Sequence, residues 1–143
     1  MVPPNEYAAA RNLYNRDSVL SASPARILTM LYDRLLLDLQ RAETAQVAAA
    51  WDTAAQHLLH AQEIVVSLTD SLKPELWEGG PGLLALYHFV AKALIGANVY
   101  KDVTRTRECI TLLEPLRKAW HEAAATVGST STPAFGLQGQ ALA

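Results

Sequence analysis

The placement of glycine and proline constrains this chain more than any other feature. After Pro24 neither residue occurs until Pro74, and five of the fourteen then fall between Pro74 and Gly82. Only Gly96 and Pro115 interrupt the chain from there to Gly128. Glycine disfavours regular structure through backbone entropy, proline through its missing N–H and fixed φ. The clean stretches are rich in Ala and Leu, the strongest helix formers among apolar residues. Alternating β-branched runs between turns, the mark of strands, are absent. The chain is expected to be all-α.

Apolar spacing divides it into four helices. Ser23-Pro24 starts the first, with serine as N-cap and proline at a position whose N–H has no intrahelical partner. Leu28, Leu31, Leu35, Leu39 and Ala42 form its stripe, which leaves Leu36 and Leu37 outside. The second helix repeats every seven residues at Trp51, Leu58, Val65 and Leu72, with Ala54, Ala61 and Leu68 between. That period belongs to near-parallel packing in bundles. Lys73 to Gly82 is expected to be a loop. Leu83, Leu86, Tyr87, Val90, Leu94 and Ala97 share one face of the third helix. Asp102 caps the fourth, whose stripe is Val103, Ile110, Leu113 and Trp120. Trp51 and Trp120, each on a stripe, are expected core anchors.

Nothing breaks the chain cleanly between the first two helices. A straight rod from Ala25 to Lys73 would be about 70 Å long, so a break is placed near Gln46. Exchange of helices between two chains stays open there, giving a monomer or a weak or domain-swapped dimer. Pro115 is expected to kink or divide the fourth helix. The architecture that follows is an antiparallel four-helix bundle over residues 23–127. An arm (1–22) with Tyr7, Leu13 and Tyr14 as apolar points precedes it. A disordered, flexible tail (128–143) rich in Gly, Ser, Thr and Pro follows.

Several function classes are excluded by composition. Twelve basic and fourteen acidic residues give a net charge of −2, without the basic field that generic nucleic-acid or anionic-membrane binding needs. A lone cysteine, Cys109, excludes a disulfide framework and Cys-rich zinc sites. The N-terminus has no signal-peptide pattern. The longest charge-free run in the body, Gly79 to Ala91, falls short of the roughly 18 apolar residues of a membrane span. A soluble, cytosolic protein is expected, without membrane insertion.

Chemistry is sparse. None of the four histidines follows a glutamate at the i, i+3 spacing of di-iron bundles. His57, His60 and Glu63 lie at i, i+3 and i+6, a spacing open to a metal but equally that of a solvated face. Cys109 beside an apolar stripe reads as a small core residue rather than a nucleophile. Gly79-Gly80-Pro81-Gly82 has neither the strand nor the Lys-Ser/Thr ending of a phosphate loop. Lys101, Arg105 and Arg107 are interspersed with Asp102 and Glu108. No catalytic residue, metal or cofactor is expected. Charged residues are only 18% of the chain, against roughly 25% in average domains. Leu36, Leu37, Leu59, Ile64, Val66, Leu84, Phe89, Ile95 and Leu112 exceed what one interior seam can take. They either widen the core or line grooves for a partner's helix or extended segment.

Ser21-Ala22-Ser23-Pro24, then Ile27-Leu28 and Met30-Leu31-Tyr32-Asp33, resembles the first-helix signature of the FliS family, the flagellar export chaperones that bind flagellin. Tyr14 and Val19 stand ten and five residues before Pro24, as in that family. Leu86-Tyr87, Leu94, Ala97-Asn98 and Asp102 resemble its third-helix pattern, and Leu116-Arg117-Lys118-Ala119-Trp120 the close of its last long helix. Arg34 replaces a usual glycine, Ala91-Lys92-Ala93 replaces a basic pair, and Pro115 has no usual counterpart.

The resemblance implies a cytoplasmic chaperone without ATPase activity. It would hold the disordered C-terminal segment of flagellin, prevent premature polymerisation and deliver it to an export gate component of the flagellar type III apparatus. It also implies a flagellin groove and lid, drawn from Tyr7, Tyr14, Val19, Leu31, Tyr32, Leu37, Tyr87, Leu94, Ala97 and Asn98, with the arm as removable lid. A helical-bundle adaptor or regulator for another amphipathic helix is the alternative.

Overall fold

A computed structural model describes residues 23–129 of the chain, with side chains to residue 126. Four helices follow one another: α1 (Pro24–Val47), α2 (Trp51–Ser71), α3 (Gly80–Val99) and α4 (Val103–Ser129), with a 3-10 turn, Pro74–Leu76, before α3. Loops of three residues, 48–50 and 100–102, force α1 antiparallel to α2 and α3 antiparallel to α4. The packed neighbours are α1–α2, α2–α3, α3–α4 and α4–α1. They close a ring in which α1 and α3 lie diagonally opposite. The expected arm and most of the expected tail lie outside the described residues.

The caps explain where the helices begin. Ser23 accepts a hydrogen bond from the Arg26 N–H at 3.2 Å, and Asp102 accepts from Thr104 N–H at 2.9 Å. The first break falls at 48–50, just past the expected position, where Ala49 adopts φ 56°. An L residue bears that left-handed conformation at some cost, and it ends the rod. α3 takes in the last three residues of the expected loop, because Pro81 presets the helical φ of its first turn. A side chain at Gly80 would strike the backbone of Pro74. Pro115 does not divide α4, which runs through it to Ser129. Its ring is exposed, and the carbonyl four residues back belongs to exposed Thr111, which water can satisfy.

The core contains Leu35, Leu39 and Ala42 from α1, Leu58, Ala61, Val65 and Leu68 from α2, Leu83, Val90, Leu94 and Ala97 from α3, and Cys109 and Leu113 from α4. Leu36 and Ile64, expected as surplus, are buried at 2% and 6% exposure. The bundle is wide enough to take a second column on α1 and α2. Trp51 is not a core anchor. As the first residue of α2 it sits at the bundle end, half-buried, with Lys101 Nζ 5.4 Å above its ring. Trp120 does pack on the core, edge-on to Tyr32 with ring centroids 6.3 Å apart.

Polar bonds brace the core at both ends. The Tyr32 and Tyr87 hydroxyls share a hydrogen bond of 2.8 Å across the diagonal from α1 to α3. Burial raises the pKa of both phenols, so they stay neutral. At the other end Gln46 donates to the Ala97 carbonyl at 3.3 Å and accepts from the Thr106 hydroxyl at 2.7 Å. One side chain thus joins α1, α3 and α4.

Candidate partner-binding surface

The two sides of the ring differ in how their outer surfaces are built. All the ion pairs that join two helices among the described residues involve α1. Asp38, fully buried, accepts from Arg34 at 3.1 Å within α1 and bonds to His60 of α2. Glu43 pairs with Arg107 at 2.7 Å, and Asp33 with Arg117 at 3.0 Å and His121 at 2.6 Å, tying α1 to α4. Slight burial opposes ionisation of Asp33, but hydrogen bonds from His121 and Arg117 win and lower its pKa.

α3 is the reverse case. Lys92 is the one Asp, Glu, Lys or Arg in its twenty residues. By length and composition the helix could cross a bilayer once Lys92 is tolerated, yet only a third of that apolar window is buried. A helix apolar on every side normally hides all of them. Here Phe89, Ile95 and Val99 stay exposed on α3, beside Leu59 and Val66 on α2 and Leu112 on α4. No ion pair reaches α3 among the described residues.

On its α4 side this surface deepens into a cavity of about 380 Å3 lined by Trp77, Gly79, Gly82, Leu83, Leu86, Leu116, Ala119 and Trp120. Its position follows from local sequence. Gly82 adds no side chain to the groove floor, and the 3-10 turn brings Trp77 over the start of α3. The Trp120 N–H is buried without a completed hydrogen bond, although it lies near enough to the Tyr32 hydroxyl to favour its ionised form slightly. Further along α3 the Arg105 side chain lies against Gly96.

Of the residues that the family resemblance points to, Tyr32, Tyr87, Leu94 and Ala97 are in the core at 0–2% exposure. They shape the bundle beneath its surface. Leu31 and Asn98 are half-buried and Leu37 faces outward on α1. Tyr7, Tyr14 and Val19 lie outside the described residues. Exposed Phe89, Ile95, Leu59, Val66 and Leu112 carry the apolar surface instead, and their signal in the sequence was their excess over the seam. Burial pushes the Cys109 thiol up to about 12, which disfavours the nucleophilic thiolate at neutral pH. No group of three metal-ligating side chains converges among the described residues. His60, expected on a solvated face, is half-exposed and bound to Asp38.

Residues 6–127 match the model of the family described as flagellar protein FliS. The chain belongs to the FliS family. Within it, the chain is 32% identical over 110 residues to the flagellar secretion chaperone FliS of Escherichia coli K12, covering 73% of this chain and 79% of that protein. It is 27% identical over 119 residues to the Bacillus subtilis 168 protein of the same name, covering 83% and 86%. A crystal structure of a flagellar chaperone from bacteria superposes with a TM-score of 0.67 at 16% identity, covering 83% of this chain and 98% of that one. It shares the helical-bundle fold. FliS is a family of chaperones, not of enzymes.

Proposed function

We propose that this flagellar export chaperone holds the C-terminal segment of flagellin in the cytoplasm, on the bare apolar face of α3 and its flanks on α2 and α4. The chaperone role comes with the family; the ligand, the surface and the compartment are the proposal. The observation that carries it is a twenty-residue helix with one charge and only a third of its window buried. An amphipathic segment that folds on binding can cover such a face, and its ordering cost keeps affinity per area modest, so that it can be released. The face is non-directional and suits an apolar stripe rather than a charged motif.

In this reading the arm is a removable lid, with Tyr14 and Val19 at the family's spacing and Tyr7 as a second aromatic anchor. The loaded complex is handed to a component of the export gate. The test is a pull-down with full-length flagellin and with flagellin lacking its last ~40 residues, a length that spans two bundle helices at helical rise. Capture of the first and loss of the second is expected. Equal capture of both would overturn the assignment and favour an adaptor for another amphipathic helix.

A further inference from the structure

The three joins between helices are not built alike. Residues 72–79 hold Pro74 and Gly79. The turn at 100–102 passes through a left-handed residue, Lys101 at φ 52°, but Asp102 caps the helix beyond it. Residues 48–50 are three alanines, the strongest helix formers. α2 starts from Ala50, which gives it no side-chain cap. The turn passes through Ala49 at φ 56°, a position that glycine normally fills. Local sequence here opposes the turn that the chain makes. A continuous helix through Ala49 relieves the left-handed backbone and pairs the last carbonyls of α1 with the first N–H groups of α2. We propose that the 48–50 hinge opens in this way and that the partner is a second copy of the chain, each α1 completing the other's bundle.

The exchange keeps the contacts that α1 makes. The Asp38–His60, Glu43–Arg107 and Asp33–Arg117 pairs, and the Gln46 bonds to Ala97 and Thr106, form between chains instead of within one. A short hinge under strain invites such a swap. Straightened, residues 24–71 make one helix about 70 Å long. Two such helices run antiparallel about a two-fold axis at the hinge. The bundles then meet end to end, with only about 5 Å of added helix between them. That end carries apolar side chains that the fold leaves unused. Val47, Val99 and Tyr100 are 64–69% exposed there, beside half-buried Trp51. The end-to-end contact covers them. A second copy is favoured over a foreign helix because its α1 brings the same stripe, with Asp38 and Gln46, to the same three helices.

The test refolds the full-length chain from urea at low and at high protein concentration and reads its mass by light scattering. Monomer is expected in the first case and monomer with dimer in the second, the two exchanging only through unfolding. In a dimer refolded from mixed labelled and unlabelled chains, isotope-filtered NOEs are expected between the core methyls of α1 and α2. Ala49→Gly suits the left-handed turn and weakens the long helix, so it keeps the monomer folded and should lower the dimer yield at least about tenfold. No dimer at any concentration would overturn the exchange. So would a dimer that dissociates on dilution without unfolding, or one whose filtered NOEs are confined to the bundle end, since both mark a contact between intact bundles. A dimer yield unchanged by Ala49→Gly would also contradict it.

Discussion

α1 and α3 face each other across one core, and their outer surfaces are made of different chemistry. α1 alternates exposed Ile27, Met30 and Leu37 with Arg26, Asp33, Arg34 and Arg41, and its carboxylates reach α2 and α4. α3 carries Lys92 alone and exposes Phe89, Ile95 and Val99. Both supply the core equally well, so the contrast does not come from folding. Charge around α1 fixes its neighbours in register and keeps its surface wetted. The lack of charge on α3 leaves a face that water covers poorly and a partner covers well.

The largest effect should come from the buried carboxylate. Asp38 is fully buried while Arg34 and His60 are each about half exposed. Arg34→Ala with His60→Ala strands a charge in the interior and should cost about 3–5 kcal/mol in urea unfolding. Asp38→Leu removes the charge and leaves two solvated partners, so it should cost much less. Equal losses would show that the α1 side is held by packing and not by charge.

The diagonal between the two helices comes next. Tyr87→Phe leaves the buried Tyr32 hydroxyl without its partner and should cost about 1–3 kcal/mol. Adding Tyr32→Phe should cost nothing further. Additive losses would mean that the two rings act by packing alone.

On the bare side, Phe89→Gln with Ile95→Gln should change stability by less than about 0.5 kcal/mol. The same pair should weaken binding of the flagellin segment at least about tenfold, or 1.4 kcal/mol. Stability lost without binding lost would make α3's outer face part of the fold.

The smallest effects belong to the exposed α1–α4 pairs. Arg107→Ala should cost about 0.2–1 kcal/mol, fading as salt is added. Asp33 has a lowered folded-state pKa. Its contribution is therefore complete above the ordinary carboxylate pKa of about 4 and fades as pH falls through the lower folded value. Asp33→Asn should remove that part of the acid sensitivity, by a small amount because the side chain is half exposed.

Much of this was legible in the sequence. Glycine and proline punctuation, the Ser23 and Asp102 caps and the seven-residue repeat all survive in the structure, because local propensity and packing agree there. Trp51 misled because a stripe says nothing about whether its first residue lies within the bundle's length. Asp38 was invisible, since a carboxylate between apolar positions normally faces water and only Arg34 and His60, supplied by the fold, allow it inside. The surplus apolar residues split. Leu36 and Ile64 entered a core wider than one seam, while Leu37, Leu59, Val66, Phe89, Ile95 and Leu112 stayed outside. Periodicity separates these two groups poorly because both sit one step off the main stripe. The tyrosines that the family resemblance marked in α1 and α3 proved to be a buried pair.

The central claim is that the bare face of α3 is the one that takes flagellin. A methyl NMR titration of the full-length chain with the flagellin C-terminal segment reads both helices at once. The account predicts large shifts at the methyls of Ile95, Val99, Leu59 and Val66, with Ile27, Met30 and Leu37 on α1 little moved. Shifts confined to the α1 methyls, with those of α3 unchanged at saturation, would contradict it.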